Sequence, residues 1–217
     1  MPPRKPRLPV FNVETDGTIE DQSAQDFTDE LKMLYAEIAR ESDRAAAVLS
    51  AASLDLLLHR LLRDFLVDDP KECDELLGDE DTGGNKPLST FSSKIRAAYC
   101  MGLIGHIERH DLDLIRRIRN DFAHHLHGLT FSSEHVNTRC LQLETPVLMH
   151  GQPQSGPRRR FLVATYFLSY AIMVRQMGLR TDLDLQKQQR RVVPEDIAIL
   201  FARWGRQNQS QPDDSPA

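Results

Sequence analysis

The densest concentration of charged and titratable groups in the sequence is LIRRIRNDFAHHLHG, residues 114–128, where three arginines, an amide, a carboxylate and three histidines occupy fifteen positions. An imidazole titrates close to neutral pH, so histidine can take or give a proton under physiological conditions. Arginine stays cationic and offers a planar fork of donors that suits two oxygens of one phosphate. Cleavage of RNA by its own 2′-hydroxyl needs a base, an acid for the departing 5′-oxygen and a fixed cation for the charged phosphorane. Here His124 is the candidate acid and base, Arg119 the phosphorane stabiliser, and Asn120 the group that orients imidazole or phosphate. Arg116 and Arg117 are the candidates for steering RNA. The set calls for no cofactor and no metal.

These side chains must be placed by a helix. Ile107, Leu114, Ile115, Ile118 and Phe122 form the apolar stripe of a helix expected from about His106 to His125. Asn120 and His124, four apart, share a face, whereas His124 lies about 140° round the helix from Arg119. A long guanidinium can bridge that angle, or meet His124 of a second subunit. A purely structural role stays open: Arg119 paired with a carboxylate such as Asp121 or one from the long second helix, and His124 capping the helix C-terminus.

Arg119 to His124, RNDFAH, resembles the R-x4-6-H motif of the HEPN superfamily. That resemblance implies a helical, dimeric, metal-independent ribonuclease of the toxin and defence type, with the two motifs meeting between subunits. A longer stretch, about 42–143, is similar to the mannitol operon repressor (MtlR-like) family. It contains SDRAAAVLSAASLDLLLHRLL, an acidic loop, PLSTFSSKIRAAYCMGLI, then LDLIRRIRNDFAH and a Ser-led helix. What this implies is an all-helical fold and a role in repressing sugar-alcohol operon expression without a DNA-reading module. The Pro-rich N-terminal tail and the polar C-terminal extension depart from that family's pattern.

Elsewhere, Phe27, Leu31, Leu34 and Ile38 mark a helix starting near Asp26. A second helix, capped by Ser42 or Asp43, carries Ala45, Val48, Leu49, Ala52, Leu56, Leu57, Arg60, Leu61 and Phe65 on its apolar face. Pro70 to Gly78 reads as a short acidic helix, and Phe91, Ile95, Ala98 and Tyr99 as one closed by Gly102. Ser133 caps a helix with Val136, Cys140 and Leu143, and TPVLMHGQPQSGP reads as a loop. Arg158 to Met177 is apolar on nearly every side, which suits a central buried helix or a subunit interface. Pro194 opens a last helix with Ile197, Leu200, Phe201 and Trp204.

Aromatics at 6% leave little material for sheets. The expected fold is therefore all-α: one helical bundle of six or seven helices over 26–205, with disordered tails at 1–25 and 206–217. Net charge is -5, but residues 68–81 alone contribute -7, so the rest sums to about +2. A protein that coats nucleic acid through general basicity is excluded. Three widely spaced cysteines without CxxC give neither a disulfide framework nor a zinc site. HIERH, residues 106–110, lacks the metalloprotease order, so no metal site is expected there or among His124, His125 and His127. The run Arg158–Arg160 reads as a solvated helix start, with phosphate binding as the alternative. No apolar stretch reaches the length of a membrane span and no secretory h-region is present, so a cytoplasmic protein without membrane association is expected. The expected partners are a second copy, and a regulatory protein or an RNA, with no sequence-specific DNA binding.

Overall fold

The computed structural model describes residues 19–66, 69–78, 85–125, 127–150 and 156–181. The expected helix at 194–205, residues 1–18 and the tail at 206–217 lie outside them. Within the described residues all regular structure is helical: α1 Ile19–Ile38, α2 Asp43–Phe65, α3 Pro70–Leu77, α4 Phe91–Cys100, α5 His106–His124, α6 Glu134–Leu141, α7 Thr145–His150 and α8 Pro157–Thr181. The all-α expectation holds. The count is higher than six or seven because α7 occupies the start of the segment read as a loop.

Local chemistry sets most boundaries. Ser42 Oγ accepts Ala45 N–H at 3.2 Å to open α2, and Asp69 accepts Glu72 N–H at 3.2 Å ahead of Pro70. Thr90 and Ser93 form a reciprocal capping box at the start of α4. That helix closes on Gly102 at φ 72°, with Gly102 N–H bonded to Tyr99 C=O and Leu103 N–H to Ala98 C=O, a turn only glycine makes without strain. Ser133 precedes α6 as expected, but its hydroxyl accepts Thr130 N–H at 3.1 Å and caps no amide of α6. α1 begins seven residues before Asp26, in a stretch whose Glu20, Asp21, Gln22 and Ala24 are good first-turn and helix-forming residues.

α7 has a cause that local pattern does not contain. Asp111, fully buried on α5, accepts Glu144 N–H at 3.0 Å and Thr145 N–H at 2.8 Å, and so caps α7 from another helix. Pro146 follows in the first turn, where its missing N–H costs nothing.

The core is built around α2 and α8, which run parallel: Asp43 pairs with Arg158 near their starts, and Gln176 donates to Asp64 at 2.7 Å near their ends. α5 runs against both, since Glu108 in its first turn pairs with Arg175 late in α8. α1 also runs against α8, with Leu31 packed near Met173 and Tyr35 Oη 3.0 Å from Ser169 Oγ. The face of α2 differs from expectation. Ala46, Ala47, Ala51, Leu54, Leu58, Leu61 and Leu62 are buried, while Leu49, Ala52 and Arg60 face solvent. α2 is apolar almost all round, so its periodicity is a weak guide. Its small residues let α8 approach closely. By length and composition α2 and residues 157–179 of α8 are each apolar enough to cross a membrane, but here both are core helices.

Candidate functional site

The end of α5 is anchored by the ring of Phe122, which is fully buried and 5.0 Å from that of Phe131; Phe131 in turn packs 5.0 Å from Phe161 of α8. This aromatic chain fixes the last two turns of α5 against α8 and holds the α5–α6 connection over the start of α2. There Phe131 N–H donates to Asp43 Oδ2 at 3.0 Å, and the Arg44 guanidinium donates to the His125 carbonyl. The helix end that carries the candidate residues is thus held by the core on one side and by the α2 N-terminus on the other.

On this scaffold Arg119 and Asn120 are half-buried, while Arg117 and His124 are exposed. None of these four side chains makes a hydrogen bond or ion pair with another described residue. Arg116 stands apart, because its Nε lies 3.4 Å from Asp113 Oδ1 one turn back. Of the two arginines expected to steer RNA, Arg117 therefore carries the free guanidinium.

The structural roles proposed for Arg119 and His124 are taken by neighbours. Asp121, the carboxylate expected to hold Arg119, is paired with Arg139 of α6 and stands 3.9 Å from His135 Nε2. The helix C-terminus is capped by His125, whose Nδ1 lies 2.8 Å from the Asp121 carbonyl oxygen, so His124 has no capping duty. The His125 and His135 rings lie 5.7 Å apart, tilted by 34°. Glu134, His135, Thr138, Arg139 and Gln142, one face of α6, line a shallow open cleft of about 460 Å³ beside this pair. Neither His135 nor Arg139 was singled out from sequence. Their signal is the Glu134-His135-x2-Thr138-Arg139 spacing, which puts polar groups on one side of an eight-residue helix whose other side carries Val136 and Cys140.

The histidines of HIERH are committed elsewhere. His106 Nδ1 lies 2.7 Å from Tyr99 Oη, and Arg109 stacks over the Tyr99 ring at 5.0 Å. Glu108 accepts the Gly105 N–H and pairs with Arg175; His110 Nδ1 is 3.0 Å from Asp111 Oδ1. Among the described residues no three His, Cys, Asp or Glu side chains converge as metal ligands. The arginine run at the start of α8 divides three ways. Arg158 pairs with Asp43 and donates to the Ala39 and Glu41 carbonyls, and Arg160 is buried and donates to Leu143 C=O at 2.6 Å. Only Arg159 is exposed, so the expectation of a solvated run holds for one residue of the three. The other two carry charge into the fold because carbonyls at the ends of α1 and α6 need donors there.

No family model, no characterised protein and no solved structure matches the chain. Arg119, Asn120 and His124 occupy successive turns of one helix end, open to solvent, with the nearby acids already bonded to other cations. Such an end can bind phosphate or carboxylate groups, and it can move a proton at His124.

Proposed function

We propose that the chain is a cytoplasmic, homodimeric regulator of the mannitol-operon-repressor kind, restraining gene expression by binding a partner instead of reading operator DNA. The observation that carries this is the unengaged set at the end of α5: Arg117, Arg119, Asn120 and His124 have no polar bond to another described side chain. Asp113 and Asp121, the acids nearest in sequence, are bonded to Arg116 and Arg139. Folding alone does not require four such groups in eight residues; an anionic partner uses all of them. Support also comes from the packing of α5 against α2, α4 and α6, which builds the arginine-bearing helix into the bundle, so that among the described residues it does not stand out as a recognition helix. The test is selection of purified protein against random duplex DNA, paired with recovery of tagged protein from its host. Expected are no enriched duplex sequence and a stoichiometric companion that is lost with Arg117→Glu. Tight, sequence-specific operator binding would overturn the mechanism.

A second function is favoured by one observation, the freedom of Arg119 and His124 on neighbouring turns. Under it the chain is a metal-independent endoribonuclease: His124 takes the 2′-hydroxyl proton or protonates the leaving 5′-oxygen, Arg119 stabilises the phosphorane, and Asn120 orients. Incubation with mixed RNA in EDTA should then give fragments ending in 2′,3′-cyclic phosphate that vanish in Arg119→Ala and His124→Ala. Intact RNA in every lane removes this activity for the RNAs used.

A further inference from the structure

The helix directions place charge unevenly along the bundle. α2 has 23 residues and so spans about 34 Å. At its C-terminal end Arg63 meets Asp74 of the acidic α3 at 2.7 Å. At its N-terminal end lie the starts of α2 and α8 and the finishes of α1 and α5, joined by the Asp43–Arg158 pair, the Arg158 bonds to Ala39 and Glu41, and the Arg44 bond to His125. This second end gathers exposed basic side chains from five chain segments: Arg40 after α1, Arg44 in α2, Arg117 and His124 in α5, His127 in the following turn, and Arg159 in α8. Four of the chain's eight histidines, His124, His125, His127 and His135, sit at this end. The acids among them are mostly engaged: Asp43 by Arg158 and Phe131 N–H, Asp121 by Arg139. Glu37, Glu41 and Glu134 remain as exposed acids.

Fold stability does not explain Arg159. Arg44 and Arg159 stand in the first turns of α2 and α8, where the helix dipole disfavours positive charge, and Arg44 offsets this by donating to the His125 carbonyl. Arg158 and Arg160 repay that position with bonds to carbonyls, but Arg159 projects into solvent. We propose that this end of the bundle is a binding surface for single-stranded RNA, with Arg40, Arg44 and Arg159 extending the α5 site across the ends of α1, α2 and α8. The inference rests on the partner-binding function proposed above and names the partner. RNA is favoured over an acidic protein because the arginines are interleaved with imidazole rings. The His125–His135 pair offers faces on which unstacked bases can stack, which carboxylates would not use. It is favoured over duplex DNA because the surface is made of helix ends and turns and presents no element shaped for a major groove.

The experiment measures binding of a fluorescent 20-nucleotide single-stranded RNA of mixed sequence to the full chain by anisotropy over a salt series. It compares wild type with Arg40→Glu/Arg159→Glu and with Glu72→Lys on α3. These variants spare Arg117, Arg119, Asn120 and His124. The double variant should weaken binding at least tenfold and flatten the salt slope, since each lost phosphate contact lowers the slope by about 0.7 for single strands. Glu72→Lys should change neither, and all three proteins should melt at the same temperature. Equal RNA affinity in wild type and double variant overturns the proposal. Displacement of RNA by polyglutamate at matched charge concentration also overturns it, in favour of an acidic protein. Loss of RNA binding in the double variant, with no repression by the wild type in the host, upholds the surface and counts against the regulatory function.

Discussion

Asp111→Ala tests the structural logic most directly. The carboxylate is fully buried, and it is the sole cap of α7, accepting Thr145 N–H at 2.8 Å and Glu144 N–H at 3.0 Å. A hydrogen bond to a charged group contributes about 1.5–3 kcal/mol net, and a buried donor left without a partner costs about as much. Thr145 is buried and has no water to turn to, so its amide takes the upper part of that range; Glu144 is exposed, so its amide takes the lower part. The expected loss is about 3–4 kcal/mol, a large share of the 5–15 kcal/mol that holds a typical domain together. With a urea slope of about 2 kcal/mol per M, the midpoint should fall by about 1.5–2 M. Asp111→Asn keeps one acceptor oxygen and should lose about half as much. Asp113→Ala, which removes only the partly exposed Arg116 pair, should shift the midpoint by less than about 0.5 M. Hydrogen exchange should show the Thr145 to Leu148 amides opening in the variant while those of α2 stay protected. A midpoint for Asp111→Ala within about 0.3 M of wild type would refute the idea that a carboxylate on α5 makes α7.

Arg139, the cysteines and Tyr35 each give a further expected outcome. Arg139→Ala releases Asp121, which can then turn to Arg119; it should weaken whatever the α5 end binds or cleaves, and Asp121→Asn in the same protein should restore it. In native protein at pH 8, iodoacetamide should label Cys100 and leave Cys140 untouched in peptide mapping, because Cys100 is exposed and burial pushes the Cys140 thiol up to about 12. Burial likewise pushes the Tyr35 hydroxyl from 10.0 up to about 12. The folded state therefore holds that proton more tightly than the unfolded one, so the contribution is complete below pH 10 and is lost as pH rises towards 12, by about 3 kcal/mol in all. Urea midpoints of Tyr35→Phe should fall less steeply than wild type across that window; parallel curves would show that Tyr35 is not the group titrating.

What could be read from the sequence follows from where each determinant lies. The limits of α3 and α4 and the start of α2 are set by residues within a turn of the boundary, such as Ser42, Asp69 with Pro70, and Thr90 with Ser93. Local pattern is enough for these. The existence of α7 depends on Asp111, more than thirty positions away, so a Pro- and Gln-containing stretch reads as a loop. The buried face of α2 was misplaced for a different reason: with Ala, Leu and Val on all sides, only the positions of α8, α5 and α4 decide which side is covered. The residues of the candidate site were legible because polar types cluster in one segment. Their freedom was not, since it depends on Arg139 taking Asp121 and His125 taking the cap.

The same fact weighs on what the α5 end is for. A structural arginine near a helix end is normally found on a carboxylate, and a structural histidine there on a terminal carbonyl. Here the carboxylate and the carbonyl are both present, and other residues hold them. Arg139 reaches Asp121 from a separate helix, and His125, next to His124, reaches back to the Asp121 carbonyl. Phe122 and Phe131 lock the helix end that carries this arrangement to the core. Among the described residues the acid and the helix terminus are satisfied by neighbouring side chains and Arg119, Asn120 and His124 are left unbonded; under the function proposed above, those three meet a group outside the chain. That holds whether the outside group is a regulatory partner or a scissile phosphate. The two differ in one respect only: binding survives replacement of His124 by a residue that hydrogen-bonds without titrating, such as asparagine, whereas cleavage does not.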